Sequence, residues 1–191
     1  MEGGCACGLI RYRLESHPLI VNCCHCTSCQ RETGTAFAMN AVIESTLVTL
    51  LPSAHPTVPA SAEGPAKPAR PAPAIPHENQ TVEPEMIPTP SESGRGQKIA
   101  RCPQCYVAVW SNYGGLGPYC RYVRVGTLDE AWRVAPDAHI YTASKRDFVR
   151  LDDRVPQFRG YYRREEVWSE ESLERWAAIW PEIVKYKEGL A

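Results

Sequence analysis

Short stretches in which apolar residues alternate with polar ones dominate the chain, and they predict strands. Leu9 to Leu14 sets Leu, Ile, Tyr and Leu against Arg, Ala36 to Ile43 and Leu47 to Leu51 are β-suited, and Lys98 to Arg101 runs into a pair of cysteines. Val107 to Trp110, Tyr119 to Val125 and His139 to Thr142 extend the series, divided by turn signals at Gly114-Gly115, Gly117-Pro118 and Pro136-Asp137. One helix is predicted, from Glu170 to Trp180, where Leu173, Trp176, Ala177 and Trp180 recur at helical spacing. Ser169 stands in its N-cap position and Pro181 is expected to end or kink it, with the tryptophans as core anchors. The class is mainly β with a C-terminal helix.

Composition changes this picture at one place. Eleven of the seventeen prolines fall between Pro52 and Pro90, in a stretch reaching Gln97 that has no Cys, Phe, Tyr or Trp. Such a mixture of Pro, Ala, Ser and Glu lacks the apolar surface to offset chain entropy, so residues 52–97 are expected to be an inserted, disordered loop. Residues 1–51 and 98–191 then make one domain. Lys+Arg 21 against Asp+Glu 22 gives a net charge of −1, too little field to hold a polyanion, so nucleic acid is not an expected partner. The longest apolar runs fall short of the roughly 18 residues of a membrane helix, and Met1 leads into Gly-Gly-Cys without a basic and apolar leader. A cytoplasmic protein that does not meet the membrane is expected.

The nine cysteines carry the chemistry. Closely spaced and odd in number, they fit metal better than a disulfide framework. Cys5 and Cys7 supply two thiolates where a structural zinc takes four, and the knuckle-like turn Cys102-Pro103-Gln104-Cys105 offers the other two. A four-thiolate site would staple the start of the chain to the far side of the Pro-rich stretch. Cys24-His25-Cys26-Thr27-Ser28-Cys29 supplies three more ligands from six residues. Three ligands leave one tetrahedral position for water or substrate, as in catalytic zinc; a closed site would need a fourth, with Cys23, His25 and Cys120 as candidates. Cys23 and His25 flank Cys24, so in extended backbone their side chains point away from it. His25 is the nearest group for proton transfer, against a purely local hydrogen-bonding role. Cys23 is either a free-thiol nucleophile or simply buried. His139 is taken as structural, and His17, His55, His77, Asp152, Asp153 and the run Arg163-Arg164-Glu165-Glu166 as solvated.

Gly3-Gly4-Cys5-Ala6-Cys7-Gly8-Leu9-Ile10-Arg11-Tyr12, Cys24-His25-Cys26-Thr27-Ser28-Cys29-Gln30-Arg31, Thr33-Gly34-Thr35-Ala36-Phe37 and Cys102-Pro103-Gln104-Cys105 together resemble the glutathione-dependent formaldehyde-activating (GFA) family. Gly126-Thr127-Leu128-Asp129, Pro136 to Ile140 and Leu151-Asp152-Asp153 look like its later blocks. The resemblance implies a β-rich, Mss4-like fold, a structural zinc on Cys5, Cys7, Cys102 and Cys105, and a second zinc on Cys24, Cys26 and Cys29. It implies a carbon–sulfur lyase, run in reverse when glutathione is joined to formaldehyde, acting on glutathione or another small thiol adduct. Arg31, with Thr33 and Gly34, would meet a carboxylate of glutathione. The insertion and the segment from Ser91 to Lys98 look like fungal members. Two other readings stay open: a thiol-adduct enzyme of secondary metabolism, and a non-enzymatic zinc-stapled binding module. Tyr106 stands where the family usually has Gly after its last cysteine pair, which implies a reshaped knuckle. Phe148 replaces a usual Trp.

Overall fold

The structure is a computed structural model that describes residues 1–54, 79–152 and 154–189. His55, His77, Asp153 and the greater part of the Pro-rich stretch lie outside the described residues. A small antiparallel sheet holds β1 (Glu2–Gly4), β2 (Arg11–Leu14) and β5 (Val48–Leu51) in the order β1-β2-β5. A larger sheet holds β3 (Ile20–Cys24), β4 (Ala38–Glu44), β6 (Glu85–Thr89), β7 (Gln97–Arg101), β8 (Ala108–Tyr113), β9 (Cys120–Arg124) and β10 (Ala138–Ile140). Its order is β10-β3-β4-β9-β8-β7-β6, antiparallel except where β10 runs parallel to β3. Two α-helices complete the described residues: α1 (Thr27–Thr33) and α2 (Glu170–Glu188).

The period of β4 sets the layers. Ala41 and Ile43 point to one core with Ile10, Tyr12, Val48, Trp110 and Val123, where the small sheet packs. Ala38 and Val42 point to the opposite core with Leu19, Cys120, Trp176 and Ile183, under α2. Because strand side chains alternate between faces, a strand in the middle of a covered sheet must be apolar at nearly every position, which is how β4 reads. Asn40 and Glu44 are the polar exceptions on the α2 face, where Asn40 takes a hydrogen bond from Arg124 and Glu44 takes two from Arg175 of α2.

Four departures from the sequence expectation have physical causes. Helix α2 starts where predicted, with the Ser169 hydroxyl accepting from the amide of Ser172 at 3.2 Å, yet it runs through Pro181 to Glu188. The missing proline N–H costs a bond to the carbonyl of Ala177, an exposed residue whose carbonyl water can reach, while continuing the helix buries Ile183 completely. The buried stripe is consequently Leu173, Trp176, Ile179 and Ile183, and Trp180, expected as an anchor, is 38% exposed. Strand β3 and helix α1 escaped prediction because cysteines, Asn and Ser carry little periodic signal. Within the stretch expected to be loop, Glu85–Thr89 forms edge strand β6, paired along β7 from Glu85 opposite Arg101 to Thr89 opposite Gln97. Its Met86 and Ile87 are exposed, so burial did not mark it.

The tip of the β6–β7 hairpin is seated by a glycine. A Cβ on Gly114 would stand 2.4 Å from the carbonyl oxygen of Arg95, so the Gly114-Gly115 turn lets two loops touch. Among the described residues no helix is long and apolar enough to cross a membrane. Pro181→Ala should restore the missing hydrogen bond and raise stability by about 1–3 kcal/mol, measured by urea denaturation, with α2 unchanged in length.

Candidate metal centre

Cys5 and Cys7 lie just beyond β1, and Cys102 and Cys105 form the turn between β7 and β8. The sulfurs of all four lie within 4.8 Å of one another, with Cys7 Sγ at 3.5 Å from Cys5 Sγ and 3.6 Å from Cys102 Sγ. Four thiolates at about 2.3 Å from one tetrahedral ion stand about 3.8 Å apart, so the spacing fits zinc. Backbone amides complete the match: Ile10 donates to Cys5 Sγ at 3.2 Å, and Gln104 and Cys105 donate to Cys102 Sγ at 3.4 and 3.5 Å. Amides aimed at sulfur favour the thiolate a metal needs. Tyr106 closes the knuckle after Cys105. That residue takes the left-handed conformation itself (φ 61°), its amide donating to the Cys102 carbonyl at 3.0 Å and its ring left exposed, so an L side chain bears the cost glycine would avoid.

The second group is Cys24, at the end of β3, with Cys26 and Cys29 on α1. Cys26 is the N-cap of α1, its sulfur accepting the Cys29 amide at 3.3 Å. Hydrogen bonds from the Cys24 and Cys29 thiols and from that amide bring Cys26 down to about 3, while the bond to Cys26 pushes Cys24 far up. One thiolate is thus present where three buried sulfurs converge, a soft donor set that suits zinc. Cys23, His25 and Cys120, the candidate fourth ligands, are absent from this group. Cys23 and His25 turn to the other face of β3, where His25 Nε2 lies 3.1 Å from His139 Nδ1 and 3.6 Å from Cys23 Sγ. Burial, with the charges of His139 and Lys145, holds His25 down to about 4, so its imidazole is neutral at pH 7. Burial, with the charge of Glu44, pushes Cys120 up to about 12, so it is a packed thiol.

A cavity of about 320 Å³ opens beside the three sulfurs. Asn22, Asn40, Tyr141, Tyr161, Arg164 and Lys187 line it, with Glu92 and Arg95 from the tip of the β6–β7 hairpin. Asn22, 1% exposed, accepts at Oδ1 from the Tyr162 hydroxyl at 2.9 Å, and its Nδ2 has no partner among the described residues. Tyr141 reaches the cavity from a left-handed backbone (φ 56°) at the end of β10. A larger groove of about 900 Å³ lies between the hairpin and Tyr186, away from every cysteine.

Arg31 is not at this cavity. It lies two residues beyond Cys29 on α1, about 200° around the helix, and is exposed. Thr33 and Gly34 serve the helix end instead, the Thr33 hydroxyl donating to the Cys29 carbonyl at 2.8 Å and Gly34 taking φ 67° as the C-cap. The charged run separates as well: Arg163, Glu165 and Glu166 are exposed, but Arg164 is drawn beneath Trp176, its guanidinium carbon 4.1 Å from the ring centroid. Asp152 is a surface charge, paired with Arg154. Nothing in the order of residues marks Arg164, Lys187, Asn22 or Tyr141, because each depends on a partner distant in sequence.

One buried carboxylate joins the two cysteine groups. Glu32, on α1 three residues after Cys29, accepts from Arg101 at 2.9 Å and from Arg124 at 2.8 Å, and Arg101 directly precedes Cys102.

The sequence model of the family described as glutathione-dependent formaldehyde-activating enzyme matches residues 1–70 and 72–144. Comparison with curated proteins gave no match.

Glu32→Gln should leave Arg124, which is 9% exposed, without its counter-charge and cost about 3 kcal/mol of stability. Urea denaturation checks the loss, and a value within about 0.5 kcal/mol of the parent protein would show that the two groups are not joined through Glu32.

Proposed function

We propose, because the chain belongs to the glutathione-dependent formaldehyde-activating family, that it is a zinc-dependent enzyme making or breaking a carbon–sulfur bond between glutathione, or a related small thiol, and an aldehyde of the formaldehyde type. One observation carries this reading: Cys24, Cys26 and Cys29 converge at the wall of a cavity, and no fourth Cys, His, Asp or Glu joins them among the described residues. In it Cys5, Cys7, Cys102 and Cys105 hold a structural ion, and Cys24, Cys26 and Cys29 hold a second whose remaining position faces the cavity. Zinc bound there supplies Lewis acidity, which lowers the pKa of a bound thiol or polarises an aldehyde oxygen.

The protein's own contribution is placement. Strand β3 and helix α1 fix the three sulfurs before a metal arrives, because the Cys29 amide and the Cys26 cap lock the turn between them. Asn22 projects from the same face of β3 as Cys24 and offers an unused N–H to an oxygen brought beside the sulfurs. Tyr141 and Tyr161 wall the cavity and limit water. His25 acts through position rather than by touching the cavity: the Gln30 side chain donates to its carbonyl at 2.7 Å and ties α1 to the segment after β10 through the Ser144 carbonyl at 2.9 Å. The reading takes the chain as a fungal-type member, on the likeness of its proline-rich insertion and of the segment from Ser91 to Lys98 to fungal members.

The two sites should respond differently to loss of a sulfur. Cys102→Ser should abolish folding, since binding energy at a structural ion is folding energy. Cys26→Ser should remove one zinc and keep most of the far-ultraviolet circular dichroism. In the parent protein, glutathione should slow removal of the second zinc by a chelator, and its hydroxyl analogue should not. Accelerated exchange of glutathione with formaldehyde, followed by NMR, should vanish in Cys26→Ser. Equal unfolding by both substitutions would overturn the assignment of sites, and absence of both protection and exchange would overturn the glutathione reading.

A further inference from the structure

The cavity is also lined by cations that the sulfur chemistry does not use. Arg95 comes from the hairpin tip, Arg164 from the segment before α2 and Lys187 from the last turn of α2, so three distant stretches bring three cations to one small volume. None of the three has a carboxylate partner among the described residues, whereas Arg11, Arg101, Arg124 and Arg175 each meet one. The only carboxylate lining the cavity is Glu92, and it accepts from the Ser28 hydroxyl at 3.0 Å. Arg164 Nε is buried without a partner among the described residues, although its guanidinium is held in place over Trp176 and, at 5.5 Å, over Trp168. Lys187 is held below its ordinary pKa by burial and by the charges of Arg95 and Arg164. Gathering like charges and leaving a guanidinium N–H unmatched both cost folding free energy, and a bound anion would offset both.

We propose that Arg95, Arg164 and Lys187 form a carboxylate-binding subsite that selects thiols bearing free carboxylates and orients them with the sulfur toward Cys24, Cys26 and Cys29. The inference rests on the reading that a thiol occupies the cavity. Two positive charges remain after Glu92 is counted, so a dicarboxylate thiol suits the subsite better than a neutral one. The planar fork of Arg164, preset by the indole beneath it, suits a carboxylate more than a solitary ammonium would. Arg95 lies within the residues that the family model matches, whereas Arg164 and Lys187 lie beyond residue 144, where that match ends, so two of the three cations come from a part of the chain the model does not describe.

Calorimetric titration of the metal-replete protein with glutathione, glutathione diethyl ester and the hydroxyl analogue of glutathione tests this. Glutathione should bind at least about tenfold more tightly than its diester, as expected for charge-assisted hydrogen bonds. Lys187→Gln and Arg164→Gln should each reduce that preference severalfold and leave the diester affinity unchanged. Because Arg164 also packs on two indoles, Lys187→Gln keeps the test decisive if Arg164→Gln does not fold. Equal binding of acid and diester, or an undiminished preference in Lys187→Gln, would overturn the subsite. Preference for the acid with no preference for thiol over hydroxyl would keep the subsite and overturn the thiol reading. Preference for thiol over hydroxyl with acid and diester alike would do the reverse, and absence of binding by all three would overturn both.

Discussion

Four sulfurs must meet from two places far apart in the chain: the Cys7 and Cys102 sulfurs, 95 residues apart, lie 3.6 Å from one another. The small sheet begins on one side of that junction and the β7–β8 turn on the other, so their contact decides how the two sheets sit. Entropy explains why so long an excursion between them is tolerated. Each doubling of a flexible loop adds only about 0.6 kcal/mol to its closure, so once the sulfurs meet, the length of the Pro-rich stretch matters little. A single ion bound by four thiolates brings far more than that. Arg11, which makes a two-pronged pair with Asp129, and Tyr12, whose hydroxyl meets that of Thr127 at 2.6 Å, hold the same small sheet to the later part of the chain.

From the junction, position passes to the second cysteine group through charge. Arg101 is fixed by its neighbour Cys102, Glu32 by helix α1, and Arg124 by Asn40 and Ser111 on adjoining strands. Desolvation cancels most of the net stability of a buried network like this, but breaking it strands a charge, so it acts as a geometric constraint. The helix carrying Cys26 and Cys29 cannot rotate without unpairing Glu32. Cavity shape therefore depends on the knuckle as well as on the sulfurs that line it.

Local patterns were legible in the sequence where local physics governs. The period-two strands, the Ser169 cap and the cysteine spacings all act within a few residues and could be read directly, and the mainly β class with its late helix follows from them. What could not be read depends on distant partners. Pro181 looks like a helix end until Ile183 is seen to need a seat in the core. Tyr106 looks incompatible with a knuckle that needs left-handed backbone, yet the loop bears the cost. Arg31 sits beside the motif and points away from it, while Arg164, in a run that looks solvated, is turned inward by Trp168 and Trp176. Strand β6 resembles the loop around it because its pairing energy comes from β7 rather than from burial.

Charge gives the cavity a direction. Three thiolates around a divalent cation carry a net charge of −1, so with zinc in place the sulfur site would be mildly anionic while Arg95, Arg164 and Lys187 line the same cavity. Over so short a distance such a gradient is only partly screened by salt. A thiol with carboxylates at a distance from its sulfur can satisfy both ends in one orientation only, and a reversed molecule would bring its carboxylates to the anionic sulfurs. Orientation is thus set before any bond changes, by residues that touch neither the metal nor the reacting carbon. The sulfur ligands fall within the matched family residues and two of the three cations fall beyond them, at the end of the chain that packs α2 over the sheet. If a thiol occupies the cavity as proposed, the cysteine motif would set the chemistry and the docking of the last helix would set the choice of thiol.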